Sequence, residues 1–79
     1  MTETPHTQID ATGLLCPLPL MHLKKAVADC APGDWVLITV TDEHAELDFE
    51  TWCERFGHQL QRGQDQGEVM EFMIRVGKP

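Results

Sequence analysis

The residues on either side of Pro32-Gly33-Asp34 follow two different periodicities, and that switch is the strongest constraint on the fold. Upstream, Leu20, Leu23, Val27 and Cys30 recur at three- and four-residue steps with His22, Lys24, Lys25 and Asp29 between them. This is the spacing of an amphipathic helix, expected to end near Cys30. Downstream, Trp35 to Thr41 is dense in β-branched and aromatic residues, and alternation puts Val36, Ile38 and Val40 on one face of a strand. Pro-Gly-Asp between them is the punctuation expected just past a helix C-terminus.

The remaining segments extend this pattern. Thr7 to Asp10 reads as a short first strand, followed by the turn signal Thr12-Gly13. A helical turn over Glu43 to Glu46 is expected to lead into a second helix with Asp48 as N-cap, because Leu47 and Trp52 then occupy hydrophobic-staple positions. That helix runs to about Phe56 and stops at Gly57. His58 to Arg62 is a short strand with Leu60 inward, and the turn-rich Gly63-Gln64-Asp65-Gln66-Gly67 makes a hairpin with a last strand, Val69 to Val76. In that strand Met70, Phe72, Ile74 and Val76 face the helices while Glu71, Met73 and Arg75 face away. The order is βαβαββ. Two helices cannot cover both faces of four strands, so the expected fold is α/β (α+β): a two-layer sandwich with a four-stranded mixed sheet and both helices on one face. The chain reads as a single domain over residues 1–79, its core about 7–76.

Size and charge exclude several functions. A 79-residue chain buries only roughly 60% of its unfolded surface, which argues against a deep cavity for a large cofactor. The net charge of −7 is the wrong sign for nucleic acid or anionic lipid and suits protein partners with basic faces. It also opposes RNA binding through an open sheet face, which the small βαβαββ shape alone would suggest. No apolar run approaches the roughly 20 residues of a membrane span. Met1 to His6 lacks the basic and apolar regions of a signal peptide, so the cytoplasm is the expected compartment. Cys16, Cys30 and Cys53 form an odd set without C-x-x-C spacing, which disfavours a disulfide framework or zinc ribbon and leaves at least one thiol free. Cys53 shares the apolar stripe of Phe49, Trp52 and Phe56, and Cys30 lies about 21 Å of helix away from Cys16, so both read as core. His22, His44 and His58 are scattered, and no metal is expected.

Cys16 stands apart. If Pro17 is the first helical residue, Cys16 is the N-cap, with Leu15 and Leu20 as a staple. The positive end of a helix and its unpaired N–H groups stabilise a thiolate or persulfide. Pro17 and Pro19 carry no N–H, so the donors expected near the sulfur are the amides of Leu18, Leu20 and Met21, and activation should be weaker than at an ordinary helix start. The alternative is that Cys16 is a small buried hydrophobe, and spacing does not choose between the two. Asp10 is placed either to hydrogen-bond the Gly13 turn or to oppose ionisation of the thiol. Asp42 reads as a cap for the turn before the second helix and as a possible partner contact. Lys24 and Lys25 ride the solvated side of the first helix, for solubility or for an acidic partner.

The run Asp10-Ala11-Thr12-Gly13-Leu14-Leu15-Cys16-Pro17-Leu18-Pro19 resembles the signature of the TusA/SirA-like family of sulfur-relay proteins: an Asp, then Gly-Leu-x-Cys-Pro-x-Pro. Lys24-Lys25-Ala26, Pro32-Gly33-Asp34, Thr41-Asp42, Asp48-Phe49-Glu50-Thr51-Trp52-Cys53 and Gly57-His58-Gln59-Leu60 extend it to about Gln8 to Val76. The resemblance implies the same βαβαββ sandwich. It further implies that Cys16 accepts sulfane sulfur as a persulfide from a cysteine desulfurase or rhodanese-like donor and relays it to an acceptor protein. No cofactor or metal is then required beyond the transient persulfide, and the carrier is expected to be a monomer. Gly13, Leu14, Pro17, Leu18 and Pro19 would present the thiol, with Asp10, Lys24, Lys25 and Asp42 as partner contacts. Some members carry Arg and Glu where this chain has Leu15 and Leu18, so here Leu14, Leu15 and Leu18 form an apolar collar that serves for docking or packs inward. A non-catalytic thiol-based regulatory or protein-interaction module is the alternative class.

Overall fold

Period-two alternation in the strands and a three-to-four-residue stripe in the helices converge on one apolar layer. The computed structural model describes residues 7–77. Its elements are β1 (Thr7–Ala11), α1 (Leu18–Ala28), β2 (Trp35–Val40), α2 (Ala45–Phe56), β3 (Gln59–Arg62) and β4 (Met70–Arg75), in one sheet of order β1-β2-β4-β3. β1 pairs parallel to β2, while β2–β4 and β3–β4 are antiparallel. The mixed sheet and βαβαββ order match the sequence expectation.

The register explains why both helices lie on the same face. Leu60, Ile74, Val36 and Thr7 form one cross-strand row, and Arg62, Phe72, Ile38 and Ile9 form the next. Val36, Ile38, Phe72 and Ile74 of these rows, and Val40 of the next, are buried with Leu23 and Val27 of α1 and Phe49 and Cys53 of α2. Phe49 meets Phe72 edge to face, ring centroids 5.4 Å apart, the geometry aromatic quadrupoles favour. Among the described residues no helix is long and apolar enough to cross a membrane.

Both helix starts differ from expectation. α1 begins at Leu18 with Pro17 as N-cap, so Cys16 lies one residue before the cap and is not itself the N-cap. Pro19 is buried within the first turn and anchors that turn to the core. The expected Leu15–Leu20 staple does not form, because Leu15 is 72% exposed. α1 ends at Ala28, two residues before Cys30, where the Asp29 N–H closes on the Ala26 carbonyl and the Cys30 N–H on the Val27 carbonyl. α2 begins at Ala45 with His44 as N-cap, which places Asp48 inside the helix. The cause is the buried stripe Ala45, Phe49, Cys53, which repeats every four residues and pulls the chain into helix a turn early. Leu47, expected to staple the start, is instead 65% exposed. α2 ends as expected at Gly57, whose φ of 77° is the left-handed conformation glycine adopts without strain.

Phe49 touches both layers, so Phe49→Ala is expected to destabilise the fold by about 3–5 kcal/mol, read as a lower urea midpoint. Phe56→Ala, on an exposed ring of the same helix, should stay within about 0.5 kcal/mol of wild type. Equal losses would contradict this placement of the core.

Candidate functional site

Parallel pairing brings the C-terminal ends of β1 and β2 together, Ala11 opposite Val40, so the segments that follow each strand leave from the same edge. Crevices at such strand ends are where open α/β sheets place their sites. Residues 12–17 follow β1 and residues 41–44 follow β2, and the second segment holds the first. Gly13 N donates to Thr41 Oγ1 at 2.9 Å, and Cys16 N donates to Asp42 Oδ2 at 2.6 Å. The other Asp42 oxygen accepts His44 N at 3.0 Å, and its carbonyl accepts Ala45 N. Asp42 thus caps the turn into α2, as expected, and also fixes the backbone of Cys16. Donation from His44 N, then from Cys16 N, holds the Asp42 carboxyl below its ordinary value.

Asp10 folds back on its own turn, accepting Thr12 N at 3.0 Å and Thr12 Oγ1 at 2.6 Å. It therefore braces Thr12 rather than Gly13, whose N–H goes to Thr41. The Thr12 hydroxyl, then the Thr12 amide, hold the Asp10 carboxyl low.

Cys16 is exposed, and its Sγ lies 2.6 Å from Asp48 Oδ2 in the first turns of α2. The thiol donates to that carboxylate. Two of the three amides expected to surround the sulfur are engaged elsewhere: Leu18 N donates to Leu15 O at 2.9 Å and Met21 N to Pro17 O at 3.1 Å. Pro17 and Pro19 have none. The acidity of Cys16 accordingly runs opposite to a helix-activated thiol. The hydrogen bond to Asp48 pushes its pKa up, followed by desolvation and the charges of Asp48 and Asp42. The other thiols are less available. Cys53 is buried, which raises its pKa to about 11, and partly buried Cys30, also raised by burial, donates to Ala26 O at 3.3 Å.

The collar separates into two parts. Leu14 packs against the core, while Leu15 and Leu18 stay exposed and are joined by Met21, 57% exposed, on the next turn of α1. Lys24 and Lys25 are exposed on the same helix. An open cleft of about 600 Å³ lies beside Leu15, between Asp42, His44, Arg62 and Met70. Arg62 in this cleft is ion-paired to Glu46 and Asp65. Among the described residues no group of three or more His, Cys, Asp and Glu is arranged to hold a metal ion.

Sequence reasoning missed Asp48 as a neighbour of the thiol. The available signal was the Ala45, Phe49, Cys53 stripe. Placing those three inward leaves Asp48 on the flank of α2, beside the buried Phe49 position.

Comparison with known proteins points to one family. A family model described as "Sulfurtransferase TusA" matches residues 7–76. The sulfur carrier protein TusA of Pseudomonas aeruginosa is 36% identical over 75 residues, covering 95% of each chain. YrkI of Bacillus subtilis is 35% identical over 69 residues, 87% of this chain and 92% of its own length. The crystal structure of a SirA-like protein from Desulfitobacterium hafniense superposes with a TM-score of 0.81 at 29% identity, covering 91% of this chain and 99% of that one.

The Asp42 anchor carries a pH dependence. A carboxylate whose folded pKa is depressed contributes stability above its ordinary value, and loses it as pH falls through the folded pKa. The Cys16 amide proton shift should therefore titrate, by NMR, with a midpoint below 3.8. In Asp42→Ala the Cys16 amide should exchange faster while β2–β4 amides keep their protection. A midpoint at or above 3.8, or unchanged exchange, would refute the anchor.

Proposed function

Because the chain belongs to the TusA sulfurtransferase family, we propose that it is a sulfur carrier that takes sulfane sulfur onto Cys16 as a persulfide and relays it to an acceptor protein. The observation that carries this reading is the presentation of Cys16: an exposed thiol on a short loop tied to the segment after β2, inside Cys-Pro-Leu-Pro, with Leu15, Leu18 and Met21 exposed nearby in the chain. An apolar rim beside a reactive group suits brief protein docking, since it excludes water without a deep pocket.

The chemistry is thiol–disulfide exchange on a persulfide. The Cys16 thiolate attacks the outer sulfur of a donor's persulfide. A new sulfur–sulfur bond forms on Cys16, the bond to the donor's inner sulfur breaks, and the donor leaves as a thiolate. The acceptor thiolate then attacks the outer sulfur on Cys16 in the same way, restoring the Cys16 thiolate. Nothing is oxidised or reduced overall, and neither metal nor organic cofactor enters the balance. Donors of the cysteine desulfurase or rhodanese-like kind supply such persulfides. The reading places the carrier in the cytoplasm as a monomer, whose single exposed thiol visits donor and acceptor in turn.

Incubation of the purified protein with a persulfide-bearing donor should add the mass of one sulfur atom, mapped to the Cys16 peptide. Cys16→Ser should take up none, while Cys30→Ser and Cys53→Ser load normally. No sulfur on Cys16, where a control thiol carrier loads, would overturn the proposal.

A further inference from the structure

The strongest unexplained feature of the site is that the thiol faces carboxylates. An exchanging thiol reacts as its thiolate, and the rate follows the thiolate fraction. Cys16 Sγ lies 2.6 Å from Asp48 Oδ2, and Asp42 Oδ2 lies 2.6 Å from the Cys16 amide nitrogen, so two carboxylates converge on one residue. Among the described residues no cation is ion-paired to Asp48. Leu15 and Leu18 stand at motif positions beside it, and the Leu18 and Met21 amides are taken by Leu15 O and Pro17 O.

We propose that Asp48 is a positioning residue that holds Cys16 in its protonated, non-nucleophilic form in the free protein, through the contact between Asp48 Oδ2 and Cys16 Sγ. The proposal deepens the carrier reading and rests on it for Cys16 being the reacting group. It explains how an exposed thiol can travel between partners without reacting with every small electrophile it meets. Removing the negative charge from Asp48, while keeping an oxygen to accept the thiol, releases the thiolate.

The charges around this contact come from several elements. From the segment after β2, Asp42 adds negative charge and His44 lies 3.3 Å from Asp42 Oδ1. From α1, Lys24 lines the groove that Asp48 shares with Arg55 of α2, yet among the described residues neither cation forms an ion pair with Asp48. On the other side of Leu15, Arg62 is committed to Glu46 and Asp65, and Glu43 and Glu68 add further negative charge. The balance around the sulfur is acidic.

The test is the pH dependence of Cys16 alkylation by iodoacetamide, a neutral probe, with the modified peptide identified by mass spectrometry. It uses no sulfur donor, so its outcome is separate from that of persulfide loading. A unit charge about 4 Å away in water shifts an equilibrium about fivefold. Asp48→Asn should therefore alkylate about fivefold faster at pH 7, its profile displaced to lower pH. Glu50→Gln, at an exposed position two residues along α2, should follow wild type. Superimposable profiles for Asp48→Asn and wild type would overturn the proposal. So would a wild-type Cys16 pKa at or below the ~8.5 of free cysteine, a measurement that needs no variant.

Discussion

The parallel pairing of β1 with β2 is the constraint on which the rest of this molecule depends. It sets Ala11 against Val40 and sends two segments out from the same edge of the sheet. One carries the thiol and the other carries Thr41 and Asp42, whose side chains accept the Gly13 and Cys16 amides. An antiparallel pair joined by a tight turn would leave no room for α1 between them, and no second segment to hold the first. Two of the loop's amides, those of Gly13 and Cys16, are thus satisfied by the neighbouring segment, which ties the loop down at both points.

The core has a supporting role. Phe49, Phe72 and the Val36, Ile38, Val40 row fix α2 against the sheet, and that fixes where Asp48 stands. A shift of α2 by one residue would rotate Asp48 about 100° around the helix and remove it from the sulfur. The same burial keeps Cys53 inert and leaves Cys16 as the exposed thiol of the three. Stability and chemistry are thus separated in space: apolar residues set the distances, and Thr41 and Asp42 after β2, with Asp48 on α2, make the polar contacts to the thiol loop.

Much of this was legible in the residue pattern. The βαβαββ order, the inward faces of β2 and β4, the stop at Gly57 and the capping role of Asp42 all follow from local periodicity and turn chemistry, which act over a few residues. What the pattern hid was non-local. The start of α2 was misplaced because Leu47 and Trp52 offered a plausible staple, whereas tertiary packing of Ala45 and Phe49 decided it. The expected acidity of Cys16 failed for a related reason. Helix position promises amides, but the Leu18 and Met21 donors close local turns, and Asp48, thirty-two residues away in sequence, reaches the sulfur instead.

The central claim is that sulfur in transit resides on Cys16 and can leave it. The most direct measurement is cyanolysis of protein that has been treated with a persulfide donor and then separated from it, since cyanide removes outer sulfur as thiocyanate. The account predicts thiocyanate stoichiometric with the wild-type chain and none from Cys16→Ser. Equal yields from the two proteins would place the transferable sulfur elsewhere and contradict it.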